Sequence, residues 1–211
     1  MAVSPYKIID IKKWNRQEHY HFFESFEEPY FGVTVNVDVS KAYRTAKEME
    51  TSFFVYYLHK SLCSVNQLNP LKYRIHEDNV VEYTDVHASA TINREDGTFG
   101  FSFIIYDPDY SIFEHNALQE INRIRSSDNL FPERNGLDAV HYSSLPWLRF
   151  SSLSHARKFN INDSVPKISF GKVQTHSGIM DMPCSIHVHH GLVDGKDVGD
   201  YFSLFQDHLN E

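Results

Sequence analysis

MPCSIHVHHGLVDG, residues Met182 to Gly195, is the stretch on which the reading of this chain turns. Met182 to His189 is rich in strand-favouring residues, with Pro183 near its start, where a missing backbone donor is tolerated. Gly191 and Gly195 mark a turn, beyond which Val198, Tyr201, Phe202, Phe205 and Leu209 fall on one helical stripe. A strand thus passes through a glycine-bearing turn into an amphipathic helix, and His190 stands at the transition, where a side chain can be presented at an open edge. Imidazole has a reference pKa of about 6.5, close to working pH, which suits a general base.

Elsewhere the same two periods alternate. Phe31 to Val39 is a half-buried strand, with Val33, Val35, Val37 and Val39 on one face and Thr34, Asn36 and Asp38 on the other. Asp10 is expected to cap a helix through Trp14, Glu18 and Phe22, which puts Arg16 on a helix. Ser40 caps a second helix through Lys47, and Ser52 a third through Phe53, Tyr57, Ser61 and Val65. Leu71 to Tyr83 reads as a hairpin turning at Asp78 and Asn79, with more strand to Tyr106. Ile112, Phe113, Leu118, Ile121 and Ile124 mark a helix ending at Arg125, followed by a loop from Ser126 to Arg134. Ala139 to Phe150 and Lys167 to Val173 are two further strand candidates. No linker or repeat interrupts this order, so residues 1–211 are expected to form one α/β domain.

The chain has 211 residues, 41% of them hydrophobic, enough to bury one sizeable core. Its formal charge of -8 argues against a phosphate-backbone surface, so no nucleic-acid partner is expected. Cys63 and Cys184 sit in apolar stretches and read as reduced, buried thiols. Met1 to Trp14 lacks the pattern of a secretory signal. The longest apolar run, Phe53 to Leu62, contains His59 and Lys60 and is too short to span a bilayer. A cytoplasmic protein without a membrane segment is the expectation.

Asp194, four residues after His190, has two readings. It can orient the imidazole directly, as the third member of a triad does. It can also turn inward and anchor the loop, in which case it needs a cation, Arg16 being one candidate. His187 and His189 share one strand face and could ligate a metal, but no third ligand stands at diagnostic spacing, and no metal site is expected. Satisfied strand histidines are the plainer reading of both.

Several separated motifs then point one way. His189, His190, Asp194 and Gly195 resemble the His-His-x-x-x-Asp-Gly signature of the chloramphenicol acetyltransferases. Trp14, Arg16, Glu18 and His19 resemble that family's Trp-x-Arg-x-Glu-His motif. Leu130, Phe131 and Pro132, and then Ser143, Leu145, Pro146 and Trp147, resemble its central segments, in the family order. The short histidine motif alone is also similar to that of the dihydrolipoyl acyltransferases. The resemblance runs from Trp14 to Leu209. It implies a CoA-dependent acyltransferase fold, two layers with a mixed β-sheet and flanking helices. It further implies a homotrimer with interfacial active sites, and acetyl transfer from acetyl-CoA, a co-substrate and not a tightly bound cofactor, to a hydroxyl of chloramphenicol.

Carried over residue by residue, the resemblance implies His190 as general base and Ser143 as the hydroxyl that stabilises the oxyanion. Arg16 and Asp194 become a supporting ion pair. Ser169 stands at a site threonine, Lys172 at a lysine near coenzyme A phosphate, and Phe23 and Phe131 line the acceptor pocket. Three positions depart from well-known members: Phe23 replaces a tyrosine, His141 an asparagine, and Ser52 a second lysine near the coenzyme. The first two alter polar groups around the acceptor, so another hydroxylated small molecule is the alternative substrate. A non-catalytic protein binding a small molecule or metal through the histidines is the third reading.

Overall fold

A computed structural model describes residues 5–157 and 163–211. In chain order the elements are β1 (Tyr6–Ile8), α1 (Gln17–Phe23), β2 (Tyr30–Asp38), α2 (Ser40–Glu48), α3 (Phe53–Gln67), α4 (Asn69–Lys72), β3 (Tyr73–His76) and β4 (Asn79–Tyr83). They continue with β5 (His87–Asn93), β6 (Phe99–Phe101), α5 (Tyr110–Arg125), β7 (Ala139–Ser144), β8 (Lys167–Phe170), β9 (Gln174–His176), β10 (Ile179–His189) and α6 (Gly195–Leu209).

The main sheet has the order β2-β10-β8-β7-β5-β6, with β9 paired to the start of β10. Strands β5, β7 and β8 run parallel and the remaining pairs antiparallel, so the sheet is mixed. A separate antiparallel sheet, β1-β4-β3, stands beside it.

Register gives the main sheet two unlike faces. Val33, Ile186, Ile168, Tyr142 and Ala90 form one row across five strands. One residue along, Thr34, Ser185, Ser169 and Ser143 form the next, and alternation turns the two rows to opposite sides. The apolar side lies under α3 and α6. There Phe170 meets Tyr57 and Phe205 at ring separations of 4.7 and 5.9 Å, and Ser61 Oγ lies 2.8 Å from the hydroxyl of the fully buried Tyr201. The other side is polar.

Several sequence expectations change at element ends. Asp10 caps only a 3-10 turn, Ile11–Lys13; the chain extends again at Trp14, and Arg16 is the residue before α1 instead of a residue within it. Ser40 lies inside α2, and its hydroxyl accepts from Met180 N at 2.8 Å, tying that helix to β10. Ser52 precedes α3 without a side-chain cap. The strand expected to reach Phe150 stops at Ser144, and the one expected to reach Val173 stops at Phe170. There Gly171 N and Lys172 N donate to Pro183 O and Leu148 O, turning the chain out of the parallel ladder.

One polar side chain ties the two sheets together. Arg74, fully buried on β3, donates to the carbonyls of Leu71, Tyr73, Leu137 and Ala139 at 2.7 to 2.9 Å. Burial lowers its pKa to about 10, which leaves it charged at neutral pH. Replacing it leaves four carbonyls facing apolar protein, so Arg74→Met is expected to lower unfolding free energy by about 3 kcal/mol or more in urea titrations. A loss within experimental error would show that water replaces the guanidinium at no cost.

Candidate active site

β10 carries the chain to His189, and the turn after it is closed by that residue: Gly191 N donates to His189 Nδ1 at 3.1 Å. A Cβ at Gly191 would lie 3.0 Å from the same ring, a tight contact that a larger residue could make only by displacing the ring. His189 is 4% exposed, and burial lowers its pKa to about 4. His187 packs over Gly32, where a Cβ would lie 2.3 Å from its Nε2, and hydrogen-bonds the Leu153 carbonyl at 3.0 Å. Both rings are thus satisfied by the protein. Among the described residues no cluster of three or more His, Cys, Asp or Glu is arranged to hold a metal ion.

His190 differs. Its ring stacks on Phe23 at 4.2 Å and leans on Phe31 at 4.6 Å, with the side chain 36% exposed. Nδ1 is buried without a hydrogen-bond partner, which leaves the Nε2 edge as the outward one. Asp194 Oδ1 lies 3.6 Å from Nδ1, too far for a hydrogen bond.

The Asp194 carboxylate is engaged elsewhere. Arg16 donates to both of its oxygens and, through Nη2, to the His190 carbonyl at 3.0 Å. The hydrogen bond from Arg16 holds the carboxyl below the usual carboxylate range. Asp194 also caps α6 reciprocally with Asp197. Of the two readings of Asp194, the loop anchor is the geometry present, and a single guanidinium bridges the His190 carbonyl and the Asp194 side chain across the turn.

The other candidate residues stand apart from this group. Ser143 is the penultimate residue of β7, paired with Ser169 on β8, whose hydroxyl lies 3.4 Å from His155 Nε2. His141 shares their face, two residues earlier. From Ser143 the sheet must be crossed by two strand spacings and followed for five residues to reach His190, on the order of 15–20 Å. Phe131 is farther still, 58% exposed and stacked on Phe101 of β6, the edge opposite β2.

A cavity of about 700 Å³ lies between the start of α3, the second half of α5 and the ends of β5, β7 and β8. Phe53, Phe54, Ile92, Leu118, Ile121 and Met182 make most of its wall apolar, Ser52, Tyr57, Thr91 and Ser144, the residue after Ser143, contribute hydroxyls, and Arg125 and Lys172 are its cationic residues. Sequence reasoning did not single out Arg125 except as a helix end. Its spacing carries no sign of the cavity.

The family model described as chloramphenicol acetyltransferase matches residues 4–206. The chain belongs to the chloramphenicol acetyltransferase family. By that membership it is an acyltransferase. It is 26% identical to chloramphenicol acetyltransferase 3 of Escherichia coli, over 97% of each protein. It is also 26% identical to the chloramphenicol acetyltransferase of Bacillus pumilus, over 93% of this chain and 90% of that protein. A solved chloramphenicol acetyltransferase superposes with a TM-score of 0.87 at 27% identity, covering 97% of this chain and 99% of that one. A probable dihydrolipoamide acetyltransferase from Listeria monocytogenes shares the fold at a TM-score of 0.65 and 14% identity. No helix among the described residues is long and apolar enough to cross a membrane.

The buried rings make stability depend on acid. His189 and His155 are both lowered to about 4, chiefly by burial, whereas in the unfolded chain each takes a proton near 6.5. The unfolded state therefore binds more protons between these values. The stability that the neutral rings contribute is complete above pH 6.5 and is lost as pH falls toward 4. Urea midpoints are expected to drop through this window, and His189→Gln to make the drop shallower. Parallel curves for the two proteins would contradict the assignment.

Proposed function

We propose that this chain transfers the acetyl group of acetyl-CoA to a hydroxyl of chloramphenicol, at a site built from two copies of the chain. The observation that carries the reading is the division of the site. His190, Phe23 and the Arg16–Asp194 pair gather at the end of β10, whereas Ser143 and Ser169, on β7 and β8, stand level with Ser185, five residues back along β10, and the cavity with Lys172 opens at the ends of β7 and β8. A proton transfer works over about 3 Å, so a base 15–20 Å from the oxyanion donor is idle within one chain. A neighbouring copy that brings its His190 to this chain's Ser143 removes the gap, and a homotrimer supplies three such sites with closed symmetry.

In this reading the apolar cavity holds the arm of acetyl-CoA, with the thioester beside Ser143. The acceptor hydroxyl rests against Nε2 of the neighbour's His190, between the apolar faces of Phe23 and Phe31. His190 removes the hydroxyl proton as the oxygen attacks the thioester carbonyl, and Ser143 donates a hydrogen bond to the oxyanion that forms. Collapse breaks the C–S bond, and the imidazolium returns its proton to the departing thiolate. The products are the acetyl ester and free coenzyme A. No acyl-enzyme is required, because the two substrates meet directly in a ternary complex.

Arg16 and Asp194 act by position. With Asp194 held by Arg16, the His190 ring is placed by aromatic packing and by its own clamped carbonyl, with no carboxylate bonded to Nδ1.

The test is release of coenzyme A thiol from acetyl-CoA and chloramphenicol. Wild-type protein is expected to release it, Ser143→Ala to lower kcat by about 10²–10³-fold, and His190→Ala to lower it at least as far. Activity with another hydroxylated acceptor but not with chloramphenicol would shift the substrate and keep the reaction. Absence of thiol release with every acceptor, together with stoichiometric zinc, would replace an enzyme with a binding protein.

Shared sites give a second test. His190→Ala and Ser143→Ala chains, each nearly inactive, are expected to regain activity when unfolded and refolded together, since mixed assemblies then contain sites with both groups intact. No recovery, with mixed assemblies verified by native mass measurement, would place both groups in the same chain's site.

A further inference from the structure

We infer that Arg125 is a phosphate-binding residue for coenzyme A, lining the same cavity as Lys172 and supplying the positive charge that Ser52 does not. The inference rests on the reading of the cavity as the acyl-donor site. Arg125 is the last residue of α5, and its side chain lines the same cavity as Lys172, which follows β8. Among the described residues neither Arg125 nor Lys172 forms a salt bridge, although the chain carries a formal charge of -8. Among the described residues no Asp or Glu lines the cavity.

Two unpaired cations at a largely apolar cavity fit a ligand with an apolar arm and a polyanionic head. Guanidinium suits phosphate especially, because its fork of donors matches two phosphate oxygens. Arg125 also lines a second, polar depression of about 810 Å³, and with Asn93 it is common to both. The residue therefore stands where the largely apolar cavity meets a polar depression. Glu95, Asp96 and Asp128 lie in that depression too, and the Asp96 carboxylate is taken up by the backbone and hydroxyl of Thr98.

The backbone at Arg125 is held for this task. Arg94 donates to the carbonyl of Ile124 at 3.0 Å and to that of Asn129 at 2.7 Å, pinning the chain on both sides. Arg94 is occupied by these carbonyls and by Phe99 O, while the neighbouring guanidinium of Arg125 is left for a ligand.

A basic residue in the last turn of a helix also favours the helix dipole, so the experiment must separate that role from ligand binding. Coenzyme A and 3′-dephospho-coenzyme A are titrated calorimetrically into full-length wild type, Arg125→Ala and Arg125→Lys, with melting temperatures recorded alongside. The expected result is a loss of about tenfold in coenzyme A affinity for Arg125→Ala, substantial recovery in Arg125→Lys, and an unchanged melting temperature. A loss that shrinks with the dephospho compound assigns the contact to the 3′-phosphate, and an equal loss with both assigns it to the pyrophosphate. Equal affinities of wild type and Arg125→Ala overturn the inference while leaving acetyl transfer standing. A loss that Lys does not recover, accompanied by a lower melting temperature, overturns it in favour of the helix end. Failure of wild type to bind either compound overturns both readings.

Discussion

β10 pairs with β2 over nine residues, from Asp181 opposite Asp38 to His189 opposite Tyr30, and that ladder sets where every group of interest stands. Met182, near its start, borders the cavity; its end delivers His190 to the opposite end of the strand. A slip of one residue would exchange the polar row of Thr34, Ser185, Ser169 and Ser143 for the apolar row beside it, burying hydroxyls under α3 and α6. The register is fixed by that cost. Because it is fixed, the separation of His190 from Ser143 is a property of the sheet, and no local adjustment of loops closes it.

The turn after β10 is held more tightly than its exposure suggests. Gly191 folds onto His189, Arg16 bridges Asp194 and the His190 carbonyl, and Asp194 and Asp197 close the start of α6. These contacts spend the polar groups around His190 on its backbone and leave the ring between two phenylalanines. The result is a histidine whose place is determined without a carboxylate on either nitrogen. His187 and His189, its neighbours in sequence, are consumed by structure, one by the Leu153 carbonyl and the other by the turn.

Much of this was legible in the chain. The strand from Phe31, the helix to Arg125 and the passage from strand through glycine turn to helix at His190 all follow from periodicity. Boundaries at Ser144 and Phe170 were not, because each is decided by hydrogen bonds to distant segments, as when Lys172 N turns to Leu148 O; at Trp14 the turn closes locally instead, Trp14 N donating to Ile11 O. Nor could spacing alone choose Arg16 as the partner of Asp194, a contact across 178 positions; the resemblance to a family pointed to it. Arg125 escaped notice because a basic residue at a helix end is ordinary, and only the closing of α5 over the sheet gives it a cavity to face. The division of the site has no signal in spacing or periodicity, where His190 and Ser143 simply occur; only the resemblance to a family implied interfacial sites.

The central claim is that His190 of one chain serves the thioester held by another. Its most direct measurement is the distance, in a crystal of the assembled protein with coenzyme A bound, from His190 Nε2 to the coenzyme sulfur. The account predicts hydrogen-bond range, with the sulfur lying in a neighbouring chain's cavity beside its Ser143. A sulfur that lies near no His190, or near the His190 of the same chain that binds the coenzyme, would contradict it.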